Sequence, residues 1–236
     1  MYDTAHILYV VISLLFIIVF SFIFRNVKEN ARINILRVIA SLAFLTHISI
    51  ILYDFFLNPS ATISGHSSAI YPYYFCNLIM LLLPITFCGP KVLKKVYPFV
   101  LWAALYGGLI TMAVPEFYHG GNIFNWGVMK SFLSHSFMIF AFVYAVFSGE
   151  YQLKIKDSYI FIVGLLISGA FGVFTNWLWE ITGKGIGNSM YLNAPALEGT
   201  PFYGYVIAPM MIILLYGITF LVELLRKNKN KILTLK

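Results

Sequence analysis

A thiol beside an imidazole is one of the few side-chain pairs that can open an ester unaided by a metal. The imidazole takes the thiol proton, and the thiolate attacks the acyl carbonyl. The chain has 236 residues with 2 cysteines and 5 histidines, so few such pairs are open to it. Cys76 lies in YPYYFCNLIM (71–80), preceded by Tyr74 and followed by Asn77, and His135 lies in VMKSFLSHSFM (128–138). Asn176 and Glu180 share FGVFTNWLWEIT (171–182), while Asp54 ends a long apolar stretch. An amide or carboxylate from this set can orient the imidazole, and Asn77 can donate to a developing oxyanion. No sequence spacing joins these residues. The elements that carry them must do so.

Those elements are apolar. Hydrophobic residues make up 60% of the chain and charged residues 11%, where a soluble domain carries roughly a quarter charged. The run AHILYVVISLLFIIVFSFIF (5–24) has the length needed to cross about 30 Å of hydrocarbon. It is too long for a signal-peptide core and has no basic residue before it, so it reads as a retained helix. Further runs cover 34–57, 70–88, 97–114, 128–148, 158–181 and 203–225. Continuous Leu, Ile and Phe favour helices over the alternating pattern of an outer-membrane barrel. Pro84 and Pro209 fall inside two of the runs, which membrane helices tolerate when neighbours satisfy the freed carbonyls. The expectation is an all-α membrane protein. It is a polytopic helical bundle of seven transmembrane helices, with 1–236 forming a single transmembrane helical domain.

Charge sets its orientation. Arg25, Lys28, Arg32 and Arg37 follow the first run, Lys91, Lys94 and Lys95 the third, and Lys154 and Lys156 the fifth. Arg226, Lys227, Lys229, Lys231 and Lys236 follow the seventh, so alternate gaps collect 14 of the 16 basic residues. Only Lys130 and Lys184 fall on the other face. By the positive-inside rule the N-terminus is outside and the C-terminus cytoplasmic. The sequence pI of about 9.3 then reflects juxtamembrane loops and anionic lipid, and nucleic-acid binding is excluded as its cause.

Orientation gives each polar residue a depth. Cys76 and His135 both come about two turns below the outer ends of their runs, Asn176 about one and a half turns, and Asp54 and Glu180 nearer the surface. Six groups from four helices, with Asn77, thus share one outer-leaflet layer, and polar groups in spans commonly mark function. Each also has a plain structural reading. Cys76 can be a small buried hydrophobe, His135 can bond to Ser131, Ser134 or Ser136, and Asn176 can bridge helices. His47 falls mid-helix and reads as a hydrogen-bonded core residue. His6, His66 and His119 lack metal-ligand spacing, so no metal and no cofactor is expected. GKGIGNS (183–189) has the wrong glycine spacing for a phosphate cradle. Cys76 and Cys88 lie 12 residues apart on one helix, about 18 Å, too far to bridge. The loops 115–127 and 182–201 exceed ordinary connectors and can serve as lids or binding loops.

The YPYYFC-N segment, the SHSF of the fifth helix and the TNW…NSMYL stretch resemble the YwaF-like bacterial integral membrane proteins. That group is related to eukaryotic transmembrane protein 164, a phospholipid acyltransferase with a proposed cysteine acyl carrier. A more distant similarity is to the androgen-induced-gene membrane hydrolases, which use a threonine–histidine pair. The resemblance covers roughly residues 70–200 and implies that Cys76 accepts the acyl group with His135 as partner. Tyr74 stands where the pattern has a histidine. The resemblance also implies a multi-pass protein of the bacterial plasma membrane with membrane lipids as substrate. The expected function is lipid acyl transfer or lipid hydrolysis by a Cys–His dyad, with Asn77, Asn176, Asp54, Glu180 and Tyr74 binding or orienting. The alternative is a non-enzymatic transporter or substrate-binding membrane protein with an outward-facing polar pocket; a structural scaffold is a third.

Overall fold

The computed structural model describes residues 3–57, 71–114, 118 and 122–234. His66, His119, Lys236 and most of 115–121 lie outside the described residues. The described chain is helical throughout: α1 (Thr4–Ile23), α2 (Glu29–Leu57), α3 (Phe75–Cys88), α4 (Tyr97–Ala113), α5 (Trp126–Phe147), α6 (Ser158–Ile181) and α7 (Gly204–Thr234). Three short 3-10 turns, Lys91–Val96, Ile155–Asp157 and Ser189–Tyr191, lie between them. Six helices are long and apolar enough to cross a membrane, and α3 is a shorter apolar helix. The all-helical polytopic architecture expected from the apolar runs is therefore present. α2 begins at Glu29, ahead of the apolar run, because an acidic residue suits the positive end of the helix dipole.

The third helix departs most from expectation. The run from Ile70 predicts a helix over 70–88, but α3 starts at Phe75. Tyr74, its N-cap, is extended, with φ −103° and ψ 154°, and Tyr71 precedes Pro72, whose ring disfavours the helical region for it. Fourteen residues reach only about 21 Å, short of the hydrocarbon thickness. Cys76 is consequently the second residue of α3, not two turns along it.

The described residues form two compact units, Met1–Glu150 and Tyr151–Lys236. In the first, α5 makes broad contacts with α2 and α4, α3 joins α2 to α4, and α1 lies against α5. Buried Trp102, Phe132, Met138, Leu83 and Leu36 fill the centre. The outward faces are apolar as well: Ile12, Phe16 and Ile23 of α1 are exposed, as suits a helix surrounded by lipid. Each end of this unit has its own polar ties. At one, Glu150 meets Arg32 (Nε–Oε2 3.3 Å) and Lys94 (Nζ–Oε1 2.5 Å), and Arg32 Nη1 also donates to the Ser148 carbonyl (2.9 Å). Arg32 near the start of α2, Lys94 after α3 and Glu150 after α5 thus meet. At the other, the Asp3 carboxylate caps α1 by accepting from the His6 amide (2.9 Å) and accepts from the Tyr118 hydroxyl (2.5 Å), while His6 Nε2 donates to the Met112 carbonyl (2.9 Å).

In the second unit, α6 and α7 are tied near the basic segment that precedes α6. Glu223 accepts from the Ile155 amide (2.9 Å), and Arg226 donates to the Leu153 carbonyl (3.0 Å).

Candidate functional site

One turn of α4 organises the first unit. Gly107 and Gly108 face different neighbours, with a tight fit at the first and no room for a Cβ at the second. A Cβ on Gly107 would stand 3.2 Å from Cys76 Sγ and 3.1 Å from Met138 Cε. A Cβ on Gly108 would stand 2.9 Å from the His135 carbonyl oxygen and 2.6 Å from Ile139 Cγ1. Small residues let helix backbones approach where the surrounding lipid offers no hydrophobic drive. The pair therefore seats the α3 thiol and the α5 backbone against the same turn. Helix arithmetic agrees: Cys76 lies twelve residues before the end of α3, and His135 twelve before the end of α5. Both are about 18 Å from the end that holds the basic loops.

The thiol of Cys76 is half-buried and bonded to α4. It donates to the Gly107 carbonyl at 3.7 Å and lies 3.6 Å from Thr111 Oγ1, one turn on. The imidazole of His135 is buried, and its Nδ1 lies 2.6 Å from the Ser131 carbonyl, one turn back on α5. A carbonyl only accepts, so Nδ1 carries the proton and Nε2 keeps its lone pair. The orienting partner is thus a backbone carbonyl of its own helix. The serine anticipated from the sequence supplies that carbonyl, and its hydroxyl goes instead to the Gly127 carbonyl (3.2 Å). Among the described residues the hydrogen bonds of the Cys76 thiol end on Gly107 and Thr111, and none reaches His135.

The remaining candidates fall in distinct places. Asn77 follows Cys76 in the first turn of α3 and is half-buried. Tyr74 caps that helix, and its ring meets Tyr73 edge-on at 4.9 Å. Asp54, expected at the end of its helix, lies in the last turn of α2, and its side chain is buried. His47 is also buried on α2, as a core histidine should be. Cys88 is an exposed free thiol at the end of α3, with Ser41 Oγ 4.0 Å away.

Asn176 and Glu180 belong to the second unit. Both line a cavity of ≈ 220 Å³ with Trp177, Gly187 and Asn193. The Asn176 amide clasps one loop residue: Oδ1 accepts from the Ser189 amide (2.6 Å), and Nδ2 donates to the Ser189 carbonyl (3.4 Å). Its carboxamide fixes the long loop after α6. Just beyond, Met190 and Tyr191 take positive φ (56° and 55°), a costly conformation for non-glycine residues. Met190 is held there by Gly172, where a Cβ would come within 2.7 Å of its Cγ. Sequence reading missed Gly107, Gly108 and Thr111, although LYGGLIT (105–111) carries the signal of paired small residues in a span. It also missed Glu150 as the hub of the basic end.

Across these described residues no group of three or more His, Cys, Asp or Glu could hold a metal ion. No curated protein and no solved structure matches the chain. The sequence model of the TMEM164 family matches residues 1–225, nearly the whole multi-pass helical chain, and the protein belongs to the TMEM164 family.

Proposed function

We propose that the protein transfers acyl groups between membrane glycerolipids, with Cys76 as acyl acceptor and His135 as general base. The observation that carries this reading is the Gly107–Gly108 turn, which seats the thiol and the histidine helix at one level. The tautomer supports it: with Nδ1–H bound to the Ser131 carbonyl, Nε2 is the ring nitrogen that carries no proton. The similarity to transmembrane protein 164 implies the same cysteine role.

In the first step His135 Nε2 takes the thiol proton and sulfur attacks the lipid ester carbonyl. The C–S bond forms, the C–O bond breaks, and the leaving alkoxide takes the proton from His135. In the second, an acceptor hydroxyl gives its proton to His135 and attacks the thioester, and the departing thiolate recovers that proton. Water in place of the acceptor gives hydrolysis. Approach of Nε2 requires the thiol to leave Gly107 and Thr111, and catalytic hydrogen bonds commonly form only once substrate is bound. The reading places the protein in the plasma membrane, with its basic loops cytoplasmic by the positive-inside rule.

The test uses purified protein and phosphatidylcholine bearing an alkyne-tagged acyl chain. Wild type should acquire a hydroxylamine-labile tag that Cys76→Ser lacks. His135→Asn, which keeps a donor for the Ser131 carbonyl but has no Nε2, should label at least about 100-fold more slowly. Equal labelling of wild type and Cys76→Ser refutes the mechanism. The bonding of the thiol to α4 favours a second reading, a lipid-binding protein; there, ligand stabilises wild type and Cys76→Ser alike and no adduct forms.

A further inference from the structure

The basic end of the Met1–Glu150 unit holds a cavity of ≈ 410 Å³ that acyl transfer leaves unused. It opens between the start of α2, the end of α3 and the Lys91–Val96 turn, with Glu150 on its wall. Its charges are not balanced. Arg37, Lys91 and Lys94 face two carboxylates, Glu29 and Glu150. Glu150 is already engaged by Lys94 and by Arg32. Arg37 and Lys91 therefore exceed what Glu29 alone can neutralise.

The cations also differ in freedom. The Arg37 guanidinium is fixed in place: Nε donates to the Phe87 carbonyl (3.1 Å) and Nη1 to Asn34 Oδ1 (3.1 Å). Its remaining N–H groups have a set direction, which suits bidentate recognition of a phosphate. Because Asn34 Oδ1 accepts from Arg37, its amide N–H₂ is a donor. Lys91 makes no side-chain bond among the described residues. Ile33, Phe87 and Pro90 add an apolar part to the same wall. A hydrogen-bonded guanidinium, an exposed ammonium and an adjoining apolar wall at the ends of spanning helices match a phosphate that carries a hydrocarbon tail.

We propose that this cavity binds the phosphate of an anionic glycerophospholipid from the leaflet at the basic end, with Arg37 and Lys91 as its ligands. This goes beyond the acyl-transfer reading, since the cavity is about 18 Å along α3 from Cys76.

The full-length protein in detergent would be titrated with short-chain phosphatidylglycerol, with phosphatidylcholine of the same chains, and with inorganic phosphate, reading thermal stabilisation. Phosphatidylglycerol should bind about tenfold more tightly than either. Arg37→Gln and Lys91→Gln should each weaken it about tenfold, while Lys95→Gln should stay within about twofold. Lys95 lies in the same turn but not on the cavity wall, so the comparison holds net charge constant. Arg37→Gln also removes the bond to Phe87 and can lower folding yield; Lys91→Gln removes none and decides the matter alone. Equal weakening by Lys95→Gln would show diffuse surface attraction and overturn the site. Phosphatidylcholine binding as tightly, or inorganic phosphate doing so, would overturn the anionic-lipid assignment. The Cys76 adduct assay is independent of every one of these outcomes.

Discussion

Alanine at Gly108 tests whether one turn of α4 sets the spacing of the helices that carry the candidate pair. The added Cβ would meet Ile139 Cγ1 at 2.6 Å and the His135 carbonyl oxygen at 2.9 Å. Ile139 has another rotamer to try, but the carbonyl belongs to the α5 ladder and cannot turn away. Ordinary contact begins near 3.4 Å, so α4 and α5 must part by about half an ångström. Overpacking of this kind costs about 1–3 kcal/mol, and alanine's better helix propensity returns about 1 kcal/mol. The net is a loss of about 0–2 kcal/mol, or up to about 8 °C in Tm at 2–4 °C per kcal/mol for a domain of this size. Two comparators sharpen this. Gly217→Ala in α7 has open space around it and should be neutral or stabilising by up to about 1 kcal/mol. Gly107→Ala meets only Met138 Cε at 3.1 Å and Cys76 Sγ at 3.2 Å, both able to shift slightly, so its stability should fall less than that of Gly108→Ala. On the acyl-transfer proposal its labelling at Cys76 should nonetheless drop, because one of the atoms that must yield is Cys76 Sγ. Thermal unfolding of the three purified variants, with Cys76 labelling in parallel, gives the answer. A Gly108→Ala protein as stable as Gly217→Ala would refute the close approach. Unchanged labelling in Gly107→Ala would refute the claim that this turn positions the thiol.

Further expectations follow from other contacts. Asn176→Ala removes both bonds to Ser189, buried on both sides, and should cost about 1–3 kcal/mol; hydrogen exchange should rise at Ser189 and its neighbours, and unchanged protection there would contradict the clasp. Glu150→Gln keeps the shape but strips the charge that Arg32 and Lys94 share, for a loss of about 1–2 kcal/mol because Lys94 is half-exposed, read by thermal unfolding. The Tyr118 hydroxyl, with the His6 amide second, holds the Asp3 carboxyl below its ordinary 3.8, and the Asp3 carboxylate in turn raises Tyr118 above 10.0. A depressed acid stabilises above its unfolded pKa and loses that contribution as pH falls through the folded value; the raised tyrosine contributes below 10.0 and loses it as pH rises through its folded value. Carboxyl titration by NMR should therefore show Asp3 moving back toward 3.8 in Tyr118→Phe, and an unmoved Asp3 would remove Tyr118 as the cause.

The helices were legible because hydrocarbon demands long apolar runs and closed backbone bonding. Within the Met1–Glu150 unit, Arg32, Lys94 and Glu150 come from three different sequence gaps and meet at one end. The start of α3 was not legible. Tyr71 to Tyr74 are as apolar and aromatic as the helix they precede, so hydropathy cannot separate extended chain from helix there. The signal was Pro72, which acts on backbone torsion and leaves hydropathy unchanged.

Depth alone could place Cys76 and His135 at one level, but it could not turn their helices toward each other. Rotation is set by whichever neighbour lets two backbones come closest, and here that neighbour is a third helix. Gly107 and Gly108 are adjacent in sequence and so point about 100° apart on α4. One receives the thiol of α3 and the other the backbone of α5. The residues that set how closely α3 and α5 approach α4 thus carry no chemistry of their own. A search for reactive side chains passes over them, while a search for missing Cβ atoms inside a span finds them first. The same logic separates Asn176 from the group it resembled in depth. Its amide satisfies both backbone polar atoms of Ser189, so its bonds account for it as a residue that holds a loop. The bond of His135 to the Ser131 carbonyl fixes which ring nitrogen carries the proton, whereas Asn176 commits both of its polar atoms to one residue.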